Sequence, residues 1–155
     1  MSGETAIVVG SEEGNVLRAF GEEVTILLTG EQTDGRLTMW LEKTPPSTGP
    51  SLHFHINDDE TFHVMEGQVA FFQNSKWSEV GPGGSAFVPR GQLHTFRNVG
   101  PETSRMLIST APAGFEIFFA RCAEEFAKPG GPDMPQVMKI AAEHGIHFVQ
   151  DATRA

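Results

Sequence analysis

The residues best suited to chemistry lie between Ser51 and Gly67, in the stretch SLHFHINDDETFHVMEG. It holds His53-x-His55 and, after four intervening residues, Glu60. Imidazole and carboxylate are the ligands a borderline divalent metal ion takes. On a strand, alternate side chains share a face, so His53 and His55 point the same way with Cα atoms about 7 Å apart. The bend at Ile56–Asp59 is expected to return Glu60 to their side. Three such ligands form a facial set with positions open for water, dioxygen or substrate. A second stretch, GGSAFVPRGQLHTFRN from Gly83 to Asn98, answers the first. Pro89-Arg90-Gly91 reads as a turn, because proline presets φ and glycine permits positive φ. His94, just inside the strand that follows, is the expected fourth ligand.

Together these stretches resemble the cupin superfamily, and within it the small single-domain members likened to quercetin dioxygenases. The first family motif is Gly, five residues, His-x-His, three or four residues, Glu, six residues, Gly. His53, His55, Glu60 and Gly67 match it, while Ser47 stands where the first glycine is expected and Gly49 lies two residues on. The second motif is Gly, five residues, Pro-x-Gly, two residues, His, three residues, Asn. It matches at every fixed position from Gly83 to Asn98. The resemblance spans about residues 35 to 112 and is specific, because two ordered motifs coincide.

The resemblance implies an all-β jelly-roll β-barrel. It also implies one divalent transition metal (Fe, Mn, Ni, Cu or Zn) on His53, His55, Glu60 and His94, and a homodimer. The expected activity is of dioxygenase type on an enolic or aromatic small molecule, with Glu60 able to shift from ligand to base. Two other classes remain open: non-oxidative isomerase, cyclase or lyase chemistry by a Lewis-acidic ion, and ligand binding without turnover. The metal-free cupins that resemble sugar epimerases use a tyrosine acid, and this chain has no tyrosine.

Other residues carry weaker expectations. Phe62, Val64 and Phe96 share strand parity with the ligands and are read first as core, then as substrate lining if the cavity is open. Trp40, Met39 and Met106 are further lining candidates. Gln73 is a candidate partner for a ligand histidine. Asp58 and Asp59 are read as turn residues, His63 as structural or surface, Arg90 as a solvated charge with a possible role in steering anions. His144 and His147 are placed at a helix end and a tail strand, and Cys122 in inert core.

The elements that must position these residues are short. Strands are expected at Ala6–Val9, Val16–Phe20, Val24–Thr29, Leu37–Lys43, Thr61–Met65, Gln68–Gln73, Lys76–Val80, Ser85–Val88, Leu93–Asn98 and Ser104–Thr110, punctuated by Gly, Pro, Asn and Asp. Such spacing suits an antiparallel sandwich or barrel. From Gly114 to Lys128 the apolar residues recur at helical spacing. Asp133 is expected to cap a second helix ending near His144, and Ile146–Val149 to form a closing strand. The whole chain, 155 residues, is expected to be one domain with its core at about 24–112 and a helical extension at about 114–145. A net charge of −9 argues against nucleic acid or an anionic membrane surface as partner. No apolar run approaches the ~20 residues of a membrane helix. The first residues lack a basic segment followed by an apolar one, and the single Cys122 forms no intrachain disulfide, so a cytoplasmic location is expected.

Overall fold

The computed structural model describes residues 5–149. Strands β1 (Asn15–Ala19) and β2 (Glu22–Leu28) form a hairpin. The short helix α1 (Gly30–Thr33) then leads into β3 (Thr38–Thr44). Next come β4 (His53–His55), β5 (Asp59–Glu66), β6 (Val69–Gln73), β7 (Lys76–Val80), β8 (Ser85–Val88), β9 (His94–Asn98) and β10 (Ser104–Ala111). Helices α2 (Phe115–Phe126) and α3 (Met134–Glu143) and strand β11 (Ile146–Phe148) complete the described chain. The strands make two antiparallel sheets, ordered β1-β2-β3-β10-β5-β8 and β11-β4-β9-β6-β7. This is the expected jelly roll, but its sheets face each other as a sandwich and do not close into a barrel.

Two expectations are corrected. Residues Ala6–Val9 form no strand, and Val8 is 91% exposed. The end of the expected Val24–Thr29 strand is instead a helix start. Thr29 caps α1 and Gln32 bonds back to it, the reciprocal pair that satisfies two free donors. On β3 the buried face is Thr38, Trp40, Glu42 and Thr44, not the more apolar Met39 and Leu41. That polar face is tolerated because its groups find partners, Thr38 Oγ1 donating to Glu116 Oε1 at 2.7 Å and Trp40 Nε1 to Glu42 Oε1 at 3.4 Å.

The C-terminal elements are built into the sheets. β11 pairs with β4, setting Ile146 opposite His55 and Phe148 opposite His53. The helices α2 and α3 contribute buried Phe118, Phe119, Val137 and Ile140 to the same core as the sheets. The β1–β2 turn joins them: Phe20 adopts φ 56°, an unfavourable conformation for a bulky residue. Its ring is held among Phe118, Phe119, Phe126 and Phe148, the nearest centroid at 4.8 Å.

The loop before β4 explains two motif positions. Asn98 is fully buried and donates from Nδ2 to the carbonyls of Thr44 at 2.9 Å and Glu102 at 2.7 Å. Its backbone then brackets the loop, accepting from Ser47 N–H and donating to Thr48 C=O, both at 2.9 Å. A side chain on Gly49 would place its Cβ 1.9 Å from the Phe96 carbonyl oxygen, which only glycine avoids. Ser47, standing where the family has glycine, takes φ 64°. A left-handed L-residue costs roughly 1–2 kcal/mol that glycine avoids. Ser47→Gly is therefore expected to raise the urea midpoint, by about 1 kcal/mol in stability after the glycine's greater unfolded-state entropy is counted. An unchanged or lower midpoint would remove this explanation of the motif.

Candidate metal centre

Strand parity carries His53 and His55 to the inner face of β4, as their burial shows. His94 is placed by register, directly opposite His53 on β9. The turn before it is built by Gly91 at φ 85°, with Gln92 N–H bonded to Pro89 C=O at 3.1 Å. Gly91 N–H also donates to His55 C=O, which ties the turn to the strand bearing the first two ligands. Glu60 enters from the other sheet, opposite Val88 and Thr110. One ligand atom from each of His53, His55, Glu60 and His94 lies within 4.8 Å of every other, and all four residues are buried.

The orientation of the rings follows from their outer partners. His53 Nδ1 lies 2.7 Å from Ser51 C=O and His94 Nδ1 2.9 Å from Gln92 C=O. A carbonyl only accepts, so both Nδ1 atoms carry hydrogen and both Nε2 atoms turn inward. His55 Nδ1 is fixed by Asp58 Oδ1 at 2.8 Å. Asp58 is thus more than a turn residue, and Gln73, although opposite His94 in register, partners no ligand ring. Inside the cluster, Glu60 Oε1 stands 3.1 Å from His94 Nε2 and 3.7 Å from His55 Nε2. Burial drives the His53 pKa down to about 3, with His94 and His55 adding to the effect, so this imidazole stays neutral with its lone pair free. Burial alone would raise the Glu60 pKa, but the three histidines outweigh it and hold the carboxyl below its usual range. Burial also opposes a charged His55, yet Glu60 and Asp58 together hold its pKa above the ordinary value. Inward imidazole nitrogens around a buried carboxylate are the donor set of a divalent transition ion, and the fit is good.

Three of the four ligands, His53, His55 and Glu60, line a cavity of about 310 Å³ between the sheets and the C-terminal helices. Phe62 and Phe96, which share strand parity with the cluster, line it, and so does Trp40. Val64 and Met106 do not; they are fully buried in the core, paired across β5 and β10. Met39 sits on the opposite face of β3. Arg90 is exposed, and its Nε and Nη2 are both taken by the Asp59 carboxylate at 3.2 Å. His63 is exposed and bonds Ser85, His144 accepts from Arg121 Nη1 at 3.0 Å, and His147 stacks on Phe54. Cys122 is buried, its thiol pushed up to about 11 by burial, and therefore unreactive.

Two groups of lining residues escape sequence reasoning. The first is aromatic: Phe20 from the hairpin, Phe115, Phe118, Phe119 and Phe126 from α2, and Phe148 from β11. Only the return of the helices over the sheets brings them in. The second is Glu22 and Glu42, buried carboxyls on the neighbouring strands β2 and β3. Burial pushes Glu22 up to about 7 and Glu42 well above the ordinary carboxyl range, where the neighbouring Glu22 adds to the effect. The signal for Glu42 was present: it shares strand parity with Trp40.

Comparison with known proteins agrees with this geometry. Residues 40–110 match the family described as the cupin domain. The chain is 25% identical over 138 residues to quercetin 2,3-dioxygenase of Bacillus subtilis; the match covers 89% of this chain but spans only 41% of that enzyme. It is 28% identical over 104 residues to an oxalate-binding protein of Thermotoga maritima, covering 62% of this chain and 86% of that one. Its fold is similar to that of the polyketide cyclase RemF from Streptomyces resistomycificus, with a TM-score of 0.59 and 22% identity over 69% of this chain and 80% of the cyclase.

The glutamate pair sets a pH dependence of stability. Glu22 ionises near 4.5 when unconstrained and at about 7 in the fold. Between these values the folded chain keeps a proton that the unfolded chain has lost. Its contribution to stability is complete below the lower value and lost as pH rises through the upper one. The loss is of order 3 kcal/mol. Glu22→Gln is therefore expected to melt higher than the wild type at alkaline pH, with the gap narrowing as pH falls toward the lower value. A melting difference independent of pH would contradict this.

Proposed function

Because the chain carries a cupin domain, we propose that it is a metal-dependent enzyme acting on a small enolic or aromatic molecule, as a dioxygenase-type oxidoreductase. The observation that carries this is the cluster itself: three inward imidazoles and Glu60, mutually within 4.8 Å, beside a cavity walled by phenylalanines and Trp40. When bound, a divalent transition ion supplies Lewis acidity and, if redox-active, electron exchange with dioxygen. The chain's own residues do the rest. The aromatic walls exclude water and take a flat ring, with Trp40 stacked on Phe115 at 3.9 Å to brace that wall. Glu60, ionised by its histidine neighbours, is placed to take the proton of a substrate hydroxyl. His53, His55 and His94 hold Glu60 in position. Oxalate, which the Thermotoga relative is named for binding, suits this cavity poorly, because Glu22 and Glu42 line it and no lysine or arginine among the described residues does.

A second reading, non-oxidative isomerase, cyclase or lyase chemistry with an ion such as zinc, is favoured by Glu42. Burial and the neighbouring Glu22 raise this cavity carboxyl well above the ordinary range, which favours its protonated form and suits it to a general-acid role that needs no redox partner. Under either reading the chain works as one domain, in the cytoplasm and as a homodimer, for which a dimeric mass in light scattering is the check.

Dioxygen uptake decides between the readings. Metal-loaded protein supplied with a panel of enols and catechols is expected to consume dioxygen in step with substrate, and to stop under argon. Turnover that continues under argon selects the non-oxidative reading. Tight binding with no turnover in either gas overturns both in favour of a binding module.

A further inference from the structure

Apart from the ligand cluster, the ionisable side chains that line the cavity among the described residues are Glu22 and Glu42. They come from adjacent strands of the first sheet and are both buried. Each has one fixed partner: Thr44 Oγ1 donates to Glu22 Oε2 at 3.2 Å, and Trp40 Nε1 to Glu42 Oε1 at 3.4 Å. Glu22 stands among the charges that raise Glu42, so the two carboxyls act on each other. The pair presents acceptor oxygens and negative charge to a cavity whose other walls are mainly Phe and Trp. Glu60 adds a third carboxyl, near enough to act electrostatically on Glu42. Among the described residues no lysine or arginine lines the cavity to offset them.

We propose that Glu22 and Glu42 are specificity-determining residues, accepting hydrogen bonds from a hydroxyl on an uncharged aromatic ligand and turning away ligands that carry a carboxylate. The proposal rests on the reading above in taking the cavity as the ligand's place. The physical basis is a contrast. A hydroxyl brings a donor to lone pairs that would otherwise face apolar walls. A carboxylate brings no donor and a like charge against buried carboxyls.

The test uses two probes that share a catechol end and differ at the other: protocatechuyl alcohol, with a para hydroxymethyl group, and protocatechuate, with a para carboxylate. Affinities are measured by titration calorimetry at neutral pH on metal-loaded full-length protein, with metal content assayed in the same samples. The wild type is expected to prefer the alcohol by about ten-fold or more, the scale of a like-charge penalty. In the Glu22→Gln/Glu42→Gln double variant the preference is expected to fall to about three-fold or less. Glu22→Gln alone should show an intermediate preference and serves if the double variant misfolds. Equal affinities in the wild type, an unchanged preference in the variants, or no binding of either probe overturns the proposal. Full metal content without the preference sinks the specificity proposal and leaves the metal reading standing. Absent metal with the preference intact does the reverse.

Discussion

Three imidazole nitrogens and a carboxylate oxygen are gathered out of water, mutually within 4.8 Å, and the lone pairs among them repel unless something positive intervenes. Protons answer only in part: Glu60 and Asp58 favour charge on His55, but burial keeps His53 neutral, and the outer nitrogens of His53 and His94 already spend their hydrogens on backbone carbonyls. A divalent ion resolves the conflict at once. The surrounding architecture can be understood as the means of holding these four groups together. Backbone carbonyls and Asp58 fix the ring orientations, register sets His94 opposite His53, and the second sheet delivers Glu60.

The C-terminal extension belongs to the same constraint. β11 pairs along β4 and supports the two ligand histidines from their far edge. The helices then roof the space between the sheets with phenylalanine. Phe20 accepts a left-handed backbone to join that cluster, which ties the opening hairpin to the closing helices. The result is an aromatic-walled chamber beside a charged floor, where buried electrostatic interactions are stronger than in water. Glu22 and Glu42 are expensive residues to keep in such a place, and stability is lost with rising pH because of them.

How much of this was legible in the sequence depended on the range of the interaction. The clustering of these four side chains was readable because strand parity and turn chemistry are local: His53-x-His55 needs only an alternating strand, and Pro89-Arg90-Gly91 needs only a turn to deliver His94. The jelly-roll class followed from strand length and spacing, although the sheets remain a sandwich where a barrel was expected. Asp58 was read as a turn residue because its bond to His55 depends on how tightly the bend closes. Val64 and Met106 have the right parity and the wrong depth, since parity says which face a side chain takes and not whether space lies above it. Glu22 and the helix phenylalanines were invisible because residues far apart in the chain meet only when the helices fold back. On β3 the polar face is the buried one, because Thr38 and Glu42 find internal partners.

The central claim is that these four side chains exist to hold a metal ion, and the most direct test is metal content. Untagged wild-type protein and His94→Ala would be analysed by mass spectrometry for transition metals. The account predicts close to one ion per chain in the wild type and its loss, or near loss, in the variant. Metal-free wild-type protein after supply of iron, manganese, nickel, copper and zinc, or full metal retention in His94→Ala, would contradict it.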